Sequence, residues 1–204
     1  QELARSSGYG LRLLLSILDE SAAALPWEFL YDGRDFLALS NMSPIIRSVA
    51  LNRGRNSFPS PQPGLNVLAA VSDVDFSRGR WKEMTHALYD GLTKQFDQLK
   101  VTFIDDATLS RLGEALSAGR YDVLHLCGHA DVVLGVSAMI LLDEKGQEVP
   151  AAPERLAELL TPAATKRPTL LCLDACNSDM LAQDLARRTH TPAVYGIRSA
   201  ISNE

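Results

Sequence analysis

The sequence predicts an α/β domain with a mostly parallel sheet flanked by helices, and three observations carry that reading. From Leu65 to the end, segments with strand character alternate with segments of helical spacing. LNVLAAVS is a nearly continuous apolar run, as expected of a strand covered on both faces. Two helical segments carry boundary signals, Gly119 closing ATLSRLGEALSAG and Pro153 opening PERLAELL. Strands joined in this way form parallel sheets with right-handed crossovers.

Residues 1–64 read as a β-rich extension with its linker, and 65–204 as the α/β core. In the extension, LRLLLSI is a strand and SAAALPWEFLYDG a short helix or turn entered through Ser21. FLALS and SPIIRSV are two further short strands, with Trp27 and Glu28 packing and bracing. LNRGRNSFPSPQPG, with three prolines and two glycines, is a surface connection. In the core, LNVLAAVS is followed by the helix WKEMTHALYDGLTKQF, with Trp81, Met84, Leu88 and Leu92 as its apolar stripe. The strand KVTFID, the helix ATLSRLGEALSAG and the strand YDVLHLCG come next. AMILLDEKGQEV reads as a hairpin-like insertion turning at Glu-Lys-Gly. The helix PERLAELL, the strand PTLLCLDA, the helix SDMLAQDLARR and the strand PAVYGI complete the chain.

The composition allows a substantial core, with 46% hydrophobic and 22% charged residues over 204 positions. A formal net charge of −5 gives no reason to expect direct nucleic-acid binding or attraction to an anionic membrane. No apolar run approaches the roughly 20 residues that span a bilayer. Three cysteines without CxxC spacing read as reduced thiols of a cytoplasmic protein. The first residue is Gln1, which reads as a piece of a longer polypeptide.

In such sheets, reactive groups gather where strands end at their carboxyl edge. YDVLHLCG runs into His129, and PTLLCLDA runs into Cys176. If those strands are neighbours, an imidazole and a thiol can meet, and the base makes the thiol a nucleophile. Cys176 lies 47 positions after His129, and Asp-Ala-Cys matches two of three residues of the caspase Gln-Ala-Cys motif. A cysteine at a strand end is more often a small buried hydrophobe. The paired positions and their spacing favour catalysis here. A metal set of His125, Cys127 and His129, joined by Cys172 or Cys176, lacks the usual ligand spacing, and Gly128 breaks the extension, so no metal is expected. Nor is a cofactor: VSDVDFSRG offers only Gly79, which argues against a flavodoxin-like binding domain. Asp174 precedes Cys176 by two residues, so in an extended strand both side chains point to the same side. The plainer alternative has Asp174 capping the helix that starts near Ser178, or bonding a loop.

LPWEFLYDG, FLALS, SPIIR, VLHLCGHAD, MILLDEKG, LCLDACNS and AVYGIRSAIS, in this order, resemble the CHAT domain family from about Leu11 to the end. These are caspase-like cysteine peptidases, often fused to helical repeats such as TPRs. The resemblance implies a caspase-like fold, with His129 as general base and Cys176 as nucleophile. The backbone N–H groups of Cys176 and Ala130 would form the oxyanion hole. Ala130 stands where the family usually has Gly. His125 is expected in the core or behind the site, with Cys127 and Cys172 as core residues. The segment Asp174-Ala175-Cys176 also resembles the Asp-x-Cys of metacaspases, which implies a carboxylate that receives Arg or Lys before the scissile bond.

The implied partners are a protein substrate and a regulatory TPR-like module, in a signalling or defence role. The alternative is an inactive caspase-like scaffold that binds a partner through the same cleft. The family continues past the strand after the Cys, so a chain ending at Glu204 implies a core truncated at its C-terminal end, folded but weakly active alone.

Overall fold

A computed structural model describes residues 13–17, 19, 22, 25, 27–31, 33–37, 45–48, 64–72, 80–161, 168–189, 191 and 193–197. The chain divides into two compact units, Gln1–Gly54 and Arg55–Glu204.

In the first unit, β1 (Leu13–Ser16) pairs in parallel with β2 (Ile45–Ser48). LPWEFLYDG forms a single 3-10 turn at Trp27–Phe29, and the Trp27 indole N–H donates to the Ala22 carbonyl at 2.8 Å. Of the predicted strand FLALS, Phe36 makes one antiparallel bridge with Tyr31, and residues 38–40 lie outside the described residues. The proline-rich connection, residues 51–63, and the Glu28 side chain lie outside them too.

The second unit is built on a main sheet whose strands are β3 (Leu65–Val71), β4 (Leu99–Asp105), β5 (Val123–Cys127), β9 (Leu170–Asp174) and β10 (Ala193–Gly196). These five lie in the order β10-β9-β5-β3-β4, parallel at every pairing. The apolar run LNVLAAVS becomes β3, flanked by β4 and β5, and Val67 to Val71 are all buried. Parallel strands need a crossover between them, and here helices supply it. They are α1 (Trp81–Gln95), α2 (Leu109–Ala118), α3 (Pro153–Leu160) and α4 (Asp179–Arg188).

Between β5 and α3, the chain adds a second sheet of three antiparallel strands, β6 (His129–Val133), β7 (Val136–Leu142) and β8 (Glu148–Ala151). The expected Glu-Lys-Gly turn joins β7 to β8. The Asp143 carboxylate accepts from the Lys145 and Gln147 N–H groups at 2.8 Å each, and Gly146 supplies a φ of 75°.

Side chains alternate across a strand, and this divides the main sheet into two unlike faces. Leu68, Ala70, Leu124, Leu126, Leu171 and Leu173 turn to one side and pack with leucines of α2, α3 and α4 in one large core. Val67, Ala69, Val71 and Cys127 turn to the other side, against Tyr89 and Trp81 of α1.

The predicted stripe on α1 holds at Trp81, which is buried, and at Leu92, which packs partly buried against the sheet. It is corrected at Met84 and Leu88, which are 54% and 49% exposed, while Thr85 and Tyr89 are buried. The helix lies over a sheet face that carries polar groups, so the side chains with a hydroxyl to offer turn inward.

Candidate active site

Register decides which side chains meet at the carboxyl edge. β5 and β9 are neighbours, with Cys127 opposite Asp174. Two residues beyond these partners, the chain reaches His129 on one side and Cys176 on the other. The adjacency on which a His–Cys encounter depends is therefore present.

Each chain leaves its strand in a particular way. After β5, Gly128 takes a φ of 150°, and a Cβ there would lie 2.6 Å from the Ser72 carbonyl oxygen. Its N–H donates to the Asp174 carbonyl at 3.1 Å. Only glycine fits so close to β3 with that φ, and the chain then turns into β6, whose first residue is His129. The His129 ring meets Trp81 edge-on, with centroids 6.2 Å apart. Its Nε2 is buried without a hydrogen-bond partner among the described residues. Ala130 lies inside β6 in extended backbone, where alanine carries no strain.

After β9, Ala175 is buried, Cys176 is half-buried, and Asn177 takes a φ of 52°. Asn is among the few non-glycine residues at ease there. Ser178 is fully buried and pins the turn: its hydroxyl donates to the Leu173 carbonyl at 3.1 Å and accepts from the Ile197 N–H at 2.9 Å. α4 starts at Asp179, so the turn holding Cys176 faces the positive end of that helix. The strand ends at Asp174, and this corrects the view of Asp174 and Cys176 as two same-side residues of one extended segment.

Asp174 does not cap α4, whose N-cap Ser178 makes no side-chain capping bond. Its Oδ2 lies 3.6 Å from His125 Nε2, and its side chain remains 35% exposed. His125 Nδ1 is 2.8 Å from the Tyr89 hydroxyl. His125 is thus a buried residue behind the carboxyl edge, as its place within HLCGH suggests.

One row of the same face reads His125, Cys172 and Tyr195 across β5, β9 and β10, and the next pairs Cys127 with Asp174. Burial, with the Asp174 charge adding to it, pushes the Cys172 thiol up to about 11. Burial pushes Cys127 up to about 12 against a hydrogen bond with Thr85. Burial also raises Tyr89 well above the ordinary phenol range, and raises Tyr195, with Asp174 and Cys172 contributing in both cases.

The donor atoms of His125, Cys127 and Asp174 lie within 4.8 Å of one another. This is not the set that the alternation in HLCGH suggests, since Asp174 takes the place of His129. A cation there would have to ionise a buried thiol held near 12.

Tyr89, Asn177 and Tyr195 escape a reading of motifs alone, and the positive φ that Asn tolerates is the one signal that marks Asn177.

No helix among the described residues is long and apolar enough to cross a membrane. No curated protein matches the chain. The family model of the CHAT domain matches residues 1–203. That match spans the parallel sheet, its helices and both strand ends of the site, and the chain belongs to the CHAT domain family, a caspase-like family.

Proposed function

We propose that the chain is a cysteine endopeptidase domain working through a His129–Cys176 dyad and cutting after a basic residue. The observation that carries this reading is the β5–β9 register, which brings both residues to adjacent strand ends. In the reaction, His129 takes the Cys176 proton as the sulfur attacks the scissile carbonyl carbon. The backbone N–H groups of Cys176 and Ala130 hold the resulting oxyanion, since charge develops there only as the thiolate attacks. The imidazolium returns its proton to the departing amine, which leaves an acyl-enzyme thioester. Water, deprotonated by His129, then releases the acid and restores the thiol.

Asp174 supplies the specificity. Its partly exposed carboxylate, at the edge that also carries Cys176, can pair with a guanidinium or ammonium. An acidic or neutral side chain leaves it unpaired. A TPR-like module, in the same polypeptide or in a complex with it, would govern access to this site, in a signalling or defence setting.

One observation favours a second reading, a scaffold that binds a partner through the same cleft without cutting it. His129 Nε2 is buried beside Trp81 rather than hydrogen-bonded among the described residues.

Peptide-library cleavage by the protein, with and without a TPR-like module, separates the two. The peptidase reading expects Arg or Lys before the cut, and Asp174→Ala losing that preference while Cys176 still reacts with iodoacetamide. Cleavage after Asp or apolar residues, unchanged by Asp174→Ala, would reduce Asp174 to a structural residue. A chain that binds peptides with no cleavage under any activating condition is the scaffold.

A further inference from the structure

Both ring nitrogens of His125 face a polar group, yet the proposed dyad does not use the ring. Nδ1 is 2.8 Å from the Tyr89 hydroxyl, and Nε2 is 3.6 Å from Asp174 Oδ2. Tyr89 and His125 are both buried, and the carboxylate is the most exposed member of the series. The series runs from α1 through β5 to β9, so three separate elements fix it.

We propose that Tyr89 and His125 are positioning residues that set the orientation of the Asp174 carboxylate for a basic substrate side chain. This rests on reading Asp174 as the carboxylate that receives the residue before the scissile bond.

A carboxylate pairs bidentately with a guanidinium only when its plane is fixed at the right angle. The terminal torsion of Asp is broad and does not fix that plane by itself. In the proposed arrangement the Tyr89 O–H donates to His125 Nδ1 across their 2.8 Å contact. That bond leaves the proton of a neutral imidazole on Nε2, aimed at Oδ2. At 3.6 Å the ring is beyond normal hydrogen-bond range. It holds the carboxylate from behind by charge and dipole, and leaves its exposed side for the ligand. A neutral donor suits this place: a fixed cation would cancel the charge that the substrate is to meet.

The test uses the full chain and peptide acyloxymethyl ketones carrying Arg or its neutral isostere citrulline before the warhead. Cys176 labelling is followed by mass spectrometry, and binding and inactivation constants are separated. In the wild type, Arg labels faster than citrulline. His125→Leu should lower that ratio about tenfold, as expected for loss of a charge-assisted contact. The loss should fall on the binding constant, with the inactivation constant and the iodoacetamide rate of Cys176 unchanged.

His125→Gln, which keeps an N–H toward Asp174, should restore most of the ratio. Tyr89→Phe removes one oxygen from a packed ring and should lower the ratio about threefold through the same binding constant. It also decides the matter if His125→Leu does not fold. A wild-type preference for Arg that survives both His125→Leu and Tyr89→Phe overturns the relay alone. A wild type that labels equally with Arg and citrulline overturns the role of Asp174, and the relay with it.

Discussion

Three thiols lie within two neighbouring strands and the turn that follows, and their surroundings set them apart. Burial holds Cys127 near 12 and Cys172 near 11, so at pH 8 about one part in a thousand of Cys172, and less of Cys127, is thiolate. Cys176, as half-buried as Cys172, lies outside the strands in the turn ahead of α4, where the helix's positive end favours a thiolate. In native protein near neutral pH, iodoacetamide should therefore modify Cys176 at least about tenfold faster than the other two. His129→Ala should slow that reaction, and Cys127 and Cys172 should react on unfolding. Equal labelling of all three thiols, read by peptide mass spectrometry, would remove the basis for a dyad.

The Asp-Ala-Cys motif and its distance from His129 are visible in the sequence. The partner of Asp174 is not, because His125 lies 49 positions away and meets it only through the β5–β9 register.

The β9–α4 turn shows how one element places a side chain that the motif merely names. Ser178 ties the end of β9 to the residue after β10. Gly196 makes room for the closure: a Cβ there would lie 2.7 Å from both the Ser178 carbonyl oxygen and the Ala182 Cβ. Ser178→Ala leaves the partly buried Ile197 N–H without its acceptor, which costs about 1 kcal/mol. Urea unfolding should register that loss, and Cys176 alkylation should slow as the turn loosens. Unchanged values of both would mean that the backbone alone holds the turn.

Helix α1 marks where apolar periodicity misleads. Of the stripe Trp81, Met84, Leu88 and Leu92, the first and last turn to the sheet, while Thr85 and Tyr89 are buried in place of Met84 and Leu88. Each has an apolar body, and the Tyr89 hydroxyl finds His125 on the sheet below. A scale that counts Thr and Tyr as half polar cannot foresee a polar partner. The helices on the leucine face lack this complication. Residues at a period of three to four there are leucines and alanines, and the segments read from sequence match α2, α3 and α4 to within a few residues.

On the proposed reading, the two faces of the main sheet divide stability from chemistry. β9 makes the division plain, since Leu171 and Leu173 enter the large leucine core while Cys172 and Asp174 turn to the face with His125. Leu173 is fully buried, and cutting it to Ala removes apolar contacts and leaves a cavity, at a cost of about 2–5 kcal/mol. Asp174 is a third exposed and makes one long contact to His125, so Asp174→Ala should cost about 1 kcal/mol or less. The consequences for chemistry should run the other way. Under conditions where Leu173→Ala remains folded, it should keep the preference for Arg over citrulline at Cys176, and Asp174→Ala should lose it. Denaturant unfolding of the two variants, paired with the labelling ratio, tests the division directly. If Asp174→Ala destabilises the protein as much as Leu173→Ala and leaves the labelling ratio untouched, Asp174 belongs to the framework. In that case the polar face of the sheet serves folding rather than substrate choice.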